Sequence, residues 1–202
     1  MANTNSPFGF SVIGRVPGAP APDFAQTQRL IANANTNKIF TGDVVQDLGN
    51  GYIDVAAASL GQVYGVFVGC FYTSASQQRV VWQKYWPGAD AVGDATAMIC
   101  TDPYALFLVQ SLLVPAAITD IGNNVDISTA TAGNTTTGIS GMTINVAGAA
   151  NTSTFPFRIW QLASSQYPAG ISGNVNGIDD TSNYNQALVT FNSQALKQLT
   201  GL

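Results

Sequence analysis

The chain is predicted to be all-β and mainly antiparallel, on three observations. Short runs rich in β-branched and aromatic residues recur along its 202 residues. Turn signals separate them every ten residues or so, as in sandwiches and barrels. No long helical periodicity alternates with the runs, which argues against a parallel α/β sheet.

The elements follow in order. In residues 1–25, Pro7, Pro17, Pro20 and Pro22 are interspersed with Gly9, Gly14 and Gly18. Prolines deny this segment a helix or an interior strand, so it reads as an extended arm ahead of a body at 26–202. Phe8, Phe10, Val12 and Ile13 are its apolar anchors. Holding it in place costs about 1–2 kcal/mol per residue in backbone entropy, which docking of the anchors on the body or on a neighbouring subunit would offset; the alternative is a floppy tail.

The body opens with short strands on either side of Gly42-Asp43. Asn50-Gly51 then joins Val44–Leu48 to Tyr52–Val55 as a hairpin. Val63–Tyr72 and Arg79–Trp86 form the next hairpin, with polar Thr73–Gln78 as its loop and Pro87-Gly88 as its end. Alternation along the second strand puts Val80, Trp82, Lys84 and Trp86 on one face and Val81, Gln83 and Tyr85 on the other. Trp82, Tyr85 and Trp86 are expected in the core or at a subunit contact. Ala95–Cys100 and Ala105–Gln110 read as a further pair.

Pro115–Gly122 is the best helix candidate, with Pro at a first helical position and Gly at the stop. Residues 123–154 are dominated by Asn, Thr, Ser, Gly and Ala and read as a low-complexity insertion, with one strand at Gly141–Val146. Phe155–Leu162 and Ala187–Phe191 are the last strands. Tyr167–Tyr184 reads as loop, and Ser193–Leu199 as a short tail helix.

Composition narrows the chemistry. Histidine and glutamate are absent and only 9% of residues are charged, against about 25% in a typical domain. The commonest general acid–base groups and metal ligands are therefore missing. Histidine-based triads are excluded. A Ser–Lys dyad would need Lys38, Lys84 or Lys197, and no motif surrounds them. The Asp pairs 43/47, 90/94 and 179/180 lack the calcium-loop pattern. No catalytic residue, cofactor or metal is expected.

A net charge of −4 with scattered Lys and Arg disfavours nucleic-acid binding. No apolar run reaches a membrane span, and no secretory leader is expected. Cys70 and Cys100 fit a reducing folding compartment, with two buried thiols preferred over a bridge. A polar surface so poor in charge suits wide packing against neighbours, where a buried charge would need a partner.

Four segments carry a resemblance. Met1-Ala-Asn-Thr-Asn-Ser-Pro-Phe-Gly-Phe10, Ile39-Phe-Thr-Gly-Asp-Val44, Gly65-Val-Phe-Val-Gly-Cys-Phe-Tyr72 and Trp82-Gln-Lys-Tyr-Trp-Pro87 are similar, in that order, to a group of tailed-bacteriophage virion proteins. The likeness is clearest over residues 1–110 and at Phe157-Arg-Ile. It fades in 123–154 and at the C-terminus.

The resemblance implies a capsid decoration or cement protein with a β-tulip or barrel body. It would be made in the bacterial cytoplasm and sit, as a homotrimer, on the outer surface of the major capsid protein lattice. It implies no catalytic residues. A tail or fibre component and a carbohydrate-binding β-sandwich on the virion surface are the alternatives. On this reading, deleting residues 2–22 leaves a folded body that no longer decorates capsids.

Overall fold

A computed structural model describes residues 3–19, 26–163 and 181–197. Fourteen strands are described: β1 (Ser11–Arg15), β2 (Gln26–Ile31), β3 (Ile39–Phe40), β4 (Val44–Asp47), β5 (Ile53–Val55), β6 (Gly65–Ser74), β7 (Arg79–Gln83), β8 (Tyr85–Trp86), β9 (Ala95–Cys100), β10 (Ala105–Gln110), β11 (Asn124–Ser128), β12 (Thr143–Ala150), β13 (Phe157–Leu162) and β14 (Gln186–Phe191). The first sheet runs β1-β10-β14-β13-β11-β12. The second runs β2-β9-β6-β4-β5, with β7 also on β6, and β3 and β8 form a two-stranded ribbon. The fold is the expected mainly antiparallel all-β body, in the form of a sandwich.

It is not a closed barrel. The second sheet curls until Leu30 of β2 bridges Tyr52 beside β5, but no ladder joins its ends. The first sheet curls likewise, with Ser111, just past β10, bridging Ile144 of β12, and again no ladder closes it.

Side-chain alternation builds two cores. Val44, Val66 and Cys100 of the second sheet face Phe107, Phe157 and Phe191 of the first. Their neighbours Val45, Phe67 and Ile99 point the other way, into a second cluster closed by Ile39 and Trp86 of the ribbon. The middle sheet is thus apolar on both faces, which explains the near-continuous hydrophobic run in β6. Cys70 and Cys100 lie in these different clusters, on opposite sides of β6 and β9, and form no disulfide.

Several elements differ from the sequence reading. The Asn50-Gly51 hairpin forms, with Asp47 opposite Ile53. β9 and β10, read as a pair, lie in different sheets. The turn at Asp102 carries the chain across, with Ala105 N–H bonded to Asp102 O at 3.0 Å.

The helix expected at Pro115–Gly122 is a single 3-10 turn at Ile118–Asp120 with no buried residue. A longer helix there would have no apolar face to cover, and packing is what stabilises short helices. The tail helix is likewise one turn, Ala195–Lys197; residues 198 and 199 of that segment, and most of the 167–184 loop, lie outside the described residues.

Residues 123–154, set apart by composition, carry β11 and β12 of the first sheet. All five β11 residues are buried, and the polar ones are bonded. Asp126 accepts the Ser59 N–H at 2.7 Å, and Asn124 Nδ2 donates to Thr152 O at 2.6 Å.

Candidate interaction surface

The N-terminal segment lies on its own body. Asn3 N–H donates to Ser182 Oγ at 3.2 Å, and Gln110 takes the Ser6 N–H at 3.1 Å while donating to Thr4 O at 2.9 Å. Residues 11–15 pair with β10 as the edge strand β1, the one place in a sheet that a proline-flanked segment fits.

The anchors divide accordingly. Phe10 is buried in the central core, stacked on Phe157 at 4.5 Å. Val12 packs against the same core. Phe8 is half-buried, and Ile13 is 47% exposed. Docking on the body is one of the three fates open to the arm, beside docking on a neighbouring subunit and a floppy tail. The part of the arm at residues 20–25 lies outside the described residues.

Arg15 ties β1 down. Its Nε and Nη2 both donate to the buried Asp102 carboxylate, Nη2 at 2.9 Å. Burial pushes the Asp102 carboxyl up, but hydrogen bonds from Arg15 and the Tyr104 N–H, with the Arg15 and Lys197 charges, outweigh it and hold it below its ordinary value.

A hub of close contacts forms at Thr41-Gly42-Asp43. Phe10 N–H donates to Gly42 O at 2.9 Å, and Gly42 N–H to Phe67 O at 2.8 Å. Thr41 N–H reaches Lys84 O at 2.9 Å and Gly138 O at 3.0 Å. The crossing needs glycine at position 9, where φ is +71° and a Cβ would fall 2.5 Å from Ser140 Cβ.

The Asp43 carboxylate is buried beneath the hub and accepts the Phe40 N–H at 2.7 Å and the Ser140 hydroxyl at 2.5 Å. Burial nevertheless dominates and pushes its pKa from 3.8 to about 6. The native state therefore binds this proton more tightly than the unfolded chain does. The group's contribution to stability is greatest below pH 4 and falls as pH rises through about 6. At 1.36 kcal/mol per unit, the change is on the order of 3 kcal/mol. Asp43→Asn keeps the shape and can donate to Ser140. It should flatten the stability profile between pH 4.5 and 7.5 relative to wild type, as read by urea midpoints at both pH values.

Beside the hub lies an apolar cleft of about 450 Å³, lined by Phe8, Phe10, Val68, Trp82, Lys84 and Ile139. It brings the predicted anchors Phe8 and Phe10 together with the predicted contact residue Trp82. Trp82 sits opposite Phe71 in the β6–β7 ladder. The two rings are 4.7 Å apart at 53° and are 45% and 44% exposed. A bare Gly69 makes the seat for the indole, because a Cβ there would lie 2.5 Å from the Trp82 ring. The cleft lining contains no carboxylate or thiol, and Lys84 supplies its only charge. Such a surface can adhere to apolar area.

Tyr85 and Trp86 do not share this surface. The chain leaves β6 after Gln83 and pairs with β3, Ile39 opposite Trp86. That break ends the alternation of β7, so Trp86 is buried whereas Trp82 is open. Trp86 Nε1 donates to Asn35 O at 3.0 Å, and its ring meets Tyr72 edge-on at 5.5 Å. Tyr85 is half-buried and stacks on Phe40 at 5.5 Å.

Phe71 and Ile139 were not singled out from the sequence. The hairpin loop is 75–78, with Ser74 opposite Arg79. Starting the loop two residues early hides the Phe71–Trp82 pairing. Ile139 comes from the low-complexity stretch and carries no local signal.

Among the described residues, no three His, Cys, Asp or Glu side chains cluster as metal ligands, and no helix is long and apolar enough to cross a membrane. In comparisons with known proteins, no family model matches the chain, and neither does any curated protein or solved structure.

Proposed function

We propose that this protein is a non-enzymatic decoration, or cement, protein of a tailed-bacteriophage capsid. It binds the outer surface of the major capsid protein lattice and stabilises the expanded head. The observation that carries the reading is the open Phe71–Trp82 pair beside the apolar cleft, on a chain with only 9% charged residues. Exposed aromatic surface of this kind marks an interaction site. The acidic balance favours the outside of a shell over contact with packaged DNA.

Magnitudes favour many weak contacts over one strong one. Aromatic side chains bury about 150–250 Å² each, and a little under half of each ring is open here. At about 25 cal/mol per Å², covering both rings yields roughly 4 kcal/mol per copy. Before association entropy is subtracted, that is only about millimolar binding. A homotrimer engaging several lattice subunits at once gains the rest through avidity. Binding only the expanded lattice then stabilises that state by mass action.

The test is cosedimentation with expanded heads lacking the protein. Wild type should bind expanded heads and not unexpanded ones. Phe71→Ala with Trp82→Ala should remain folded, since neither ring belongs to either buried core cluster, and bind about tenfold more weakly or worse. Wild type that ignores expanded heads would overturn the reading. Undiminished binding by the double variant would overturn the surface. Immunolabelling of virions separates a shell position from a tail or fibre one.

The same aromatic pair favours, as a second reading, a carbohydrate-binding sandwich. Its 53° tilt is unlike the flat platform that sugar stacking uses. A glycan array with strong hits would reverse that preference.

A further inference from the structure

The outer edge of β7 presents a backbone and side-chain pattern complementary to itself. Val92 N–H donates to Thr73 O at 2.8 Å, on the side of β6 away from β7. Thr73 faces Val80 in the ladder, so Thr73 and Val80 are a non-hydrogen-bonded pair. In an antiparallel ladder such pairs alternate with bonded ones. The N–H and C=O groups of Val80 and, two residues on, of Trp82 therefore point away from β6, toward the open edge. Those of Val81 are engaged with Tyr72.

Natural edge strands are usually shielded by proline, by a bulge or by charge within the strand. The span from Val80 to Trp82 has none of these; Arg79 and Lys84 flank it. Val80 is 68% exposed, and Trp82 and Phe71 share its face.

We infer that β7 pairs antiparallel with β7 of a second copy about a twofold axis through Val81, extending the second sheet across two molecules. The register follows from the outward groups. Val80 of each copy exchanges both backbone bonds with Trp82 of the other, and Val81 faces Val81 as the non-bonded pair between them. Large Trp82 then meets smaller Val80 on the exposed face, twice. The Phe71 and Trp82 rings of both copies become one continuous stripe. Charge permits it, since Arg79 falls opposite neutral Gln83 and no like charges face one another. A shift of one residue would lose the outward bonds, and a shift of two would set Trp82 either against its own copy or against Gln78 of the turn. The inference does not depend on the capsid reading. Within that reading, twofold pairing links trimers to one another.

Directed cross-linking of the full chain tests this. Val81 residues facing across the axis have Cα atoms about 4.5 Å apart, within disulfide range. Val81→Cys should form a disulfide-linked dimer on mild oxidation in concentrated solution. Arg79→Cys is the control, because four residues of offset separate its two copies by roughly 14 Å. Native Cys70 does not compete, being buried with its thiol pushed up to about 12.

Adding Val80→Pro to Val81→Cys removes one outward N–H per copy without touching the β6 ladder. It should cut the cross-linked fraction by about tenfold or more and leave the circular dichroism spectrum unchanged. Equal cross-linking by Val81→Cys and Arg79→Cys, or no loss with the proline in a folded protein, would overturn the pairing. If Val81→Cys proves unfolded, the wild-type mass by light scattering against that of Val80→Pro decides, and equal masses overturn it. Head cosedimentation is a separate readout, so failure of the capsid reading is distinguishable.

Discussion

Phe10→Ala is expected to lower stability by about 3–5 kcal/mol, the usual cost of emptying a buried aromatic site. Phe10 forms one end of a four-ring cluster centred on Phe107 and Phe157. It stacks on Phe157 at 4.5 Å and 23°, and meets Phe107 edge-on at 6.3 Å. Phe191 closes the group, 5.0 Å from Phe107 and 5.2 Å from Phe157. The neighbouring rings belong to β10, β13 and β14, whose ladders cannot easily collapse into the void. Urea denaturation gives the number. Phe8→Ala is the internal contrast, since Phe8 only lines the open cleft and its loss should cost much less. The same geometry revises the expectation for deletion of residues 2–22. That truncation removes a core aromatic, an edge strand and Arg15 together, so the body should be severely destabilised rather than left folded without its arm.

Arg15→Ala should cost about 3 kcal/mol or more, because removing one partner of a buried pair strands the other charge. Asp102 is the buried member, with the Tyr104 N–H at 3.0 Å as its further donor. The guanidinium keeps some solvent contact, with a side-chain exposure of 13%, which sets the expectation toward the lower end of the range. The pH dependence has a definite sign. Asp102 is held below its ordinary value in the native state, so its stabilisation is present above the unfolded carboxylate pKa, about 3.9, and is lost as pH falls through the lower folded value. In the variant, Asp102 is buried without its cation and takes up a proton more readily. The gap between wild type and variant should therefore shrink on acidification toward pH 4. A constant gap from neutral to acid pH would show that Arg15 acts through packing alone.

Much of the fold was legible in the chain. β-branched and aromatic runs located most of the strands, Asn50-Gly51 located a hairpin, and prolines kept the first segment out of a helix or an interior strand. The absence of histidine and glutamate, with only 9% of residues charged, leaves the surface to Asn, Gln, Ser, Thr and Gly. These are local properties of backbone preference and side-chain chemistry, and local sequence carries them.

Which strands lie in the same sheet was decided only by tertiary packing. Asp102 turns β9 and β10 into different sheets because its carboxylate bonds Arg15 from a strand some 87 residues away. β11 and β12 form within an Asn- and Thr-rich stretch because other strands and loops supply partners for their buried polar groups. Trp82 and Trp86, four residues apart and on one face by alternation, end on opposite terms with solvent because the chain changes partner after Gln83. Pairing register and buried hydrogen bonds depend on residues distant in sequence, and a local pattern cannot specify them.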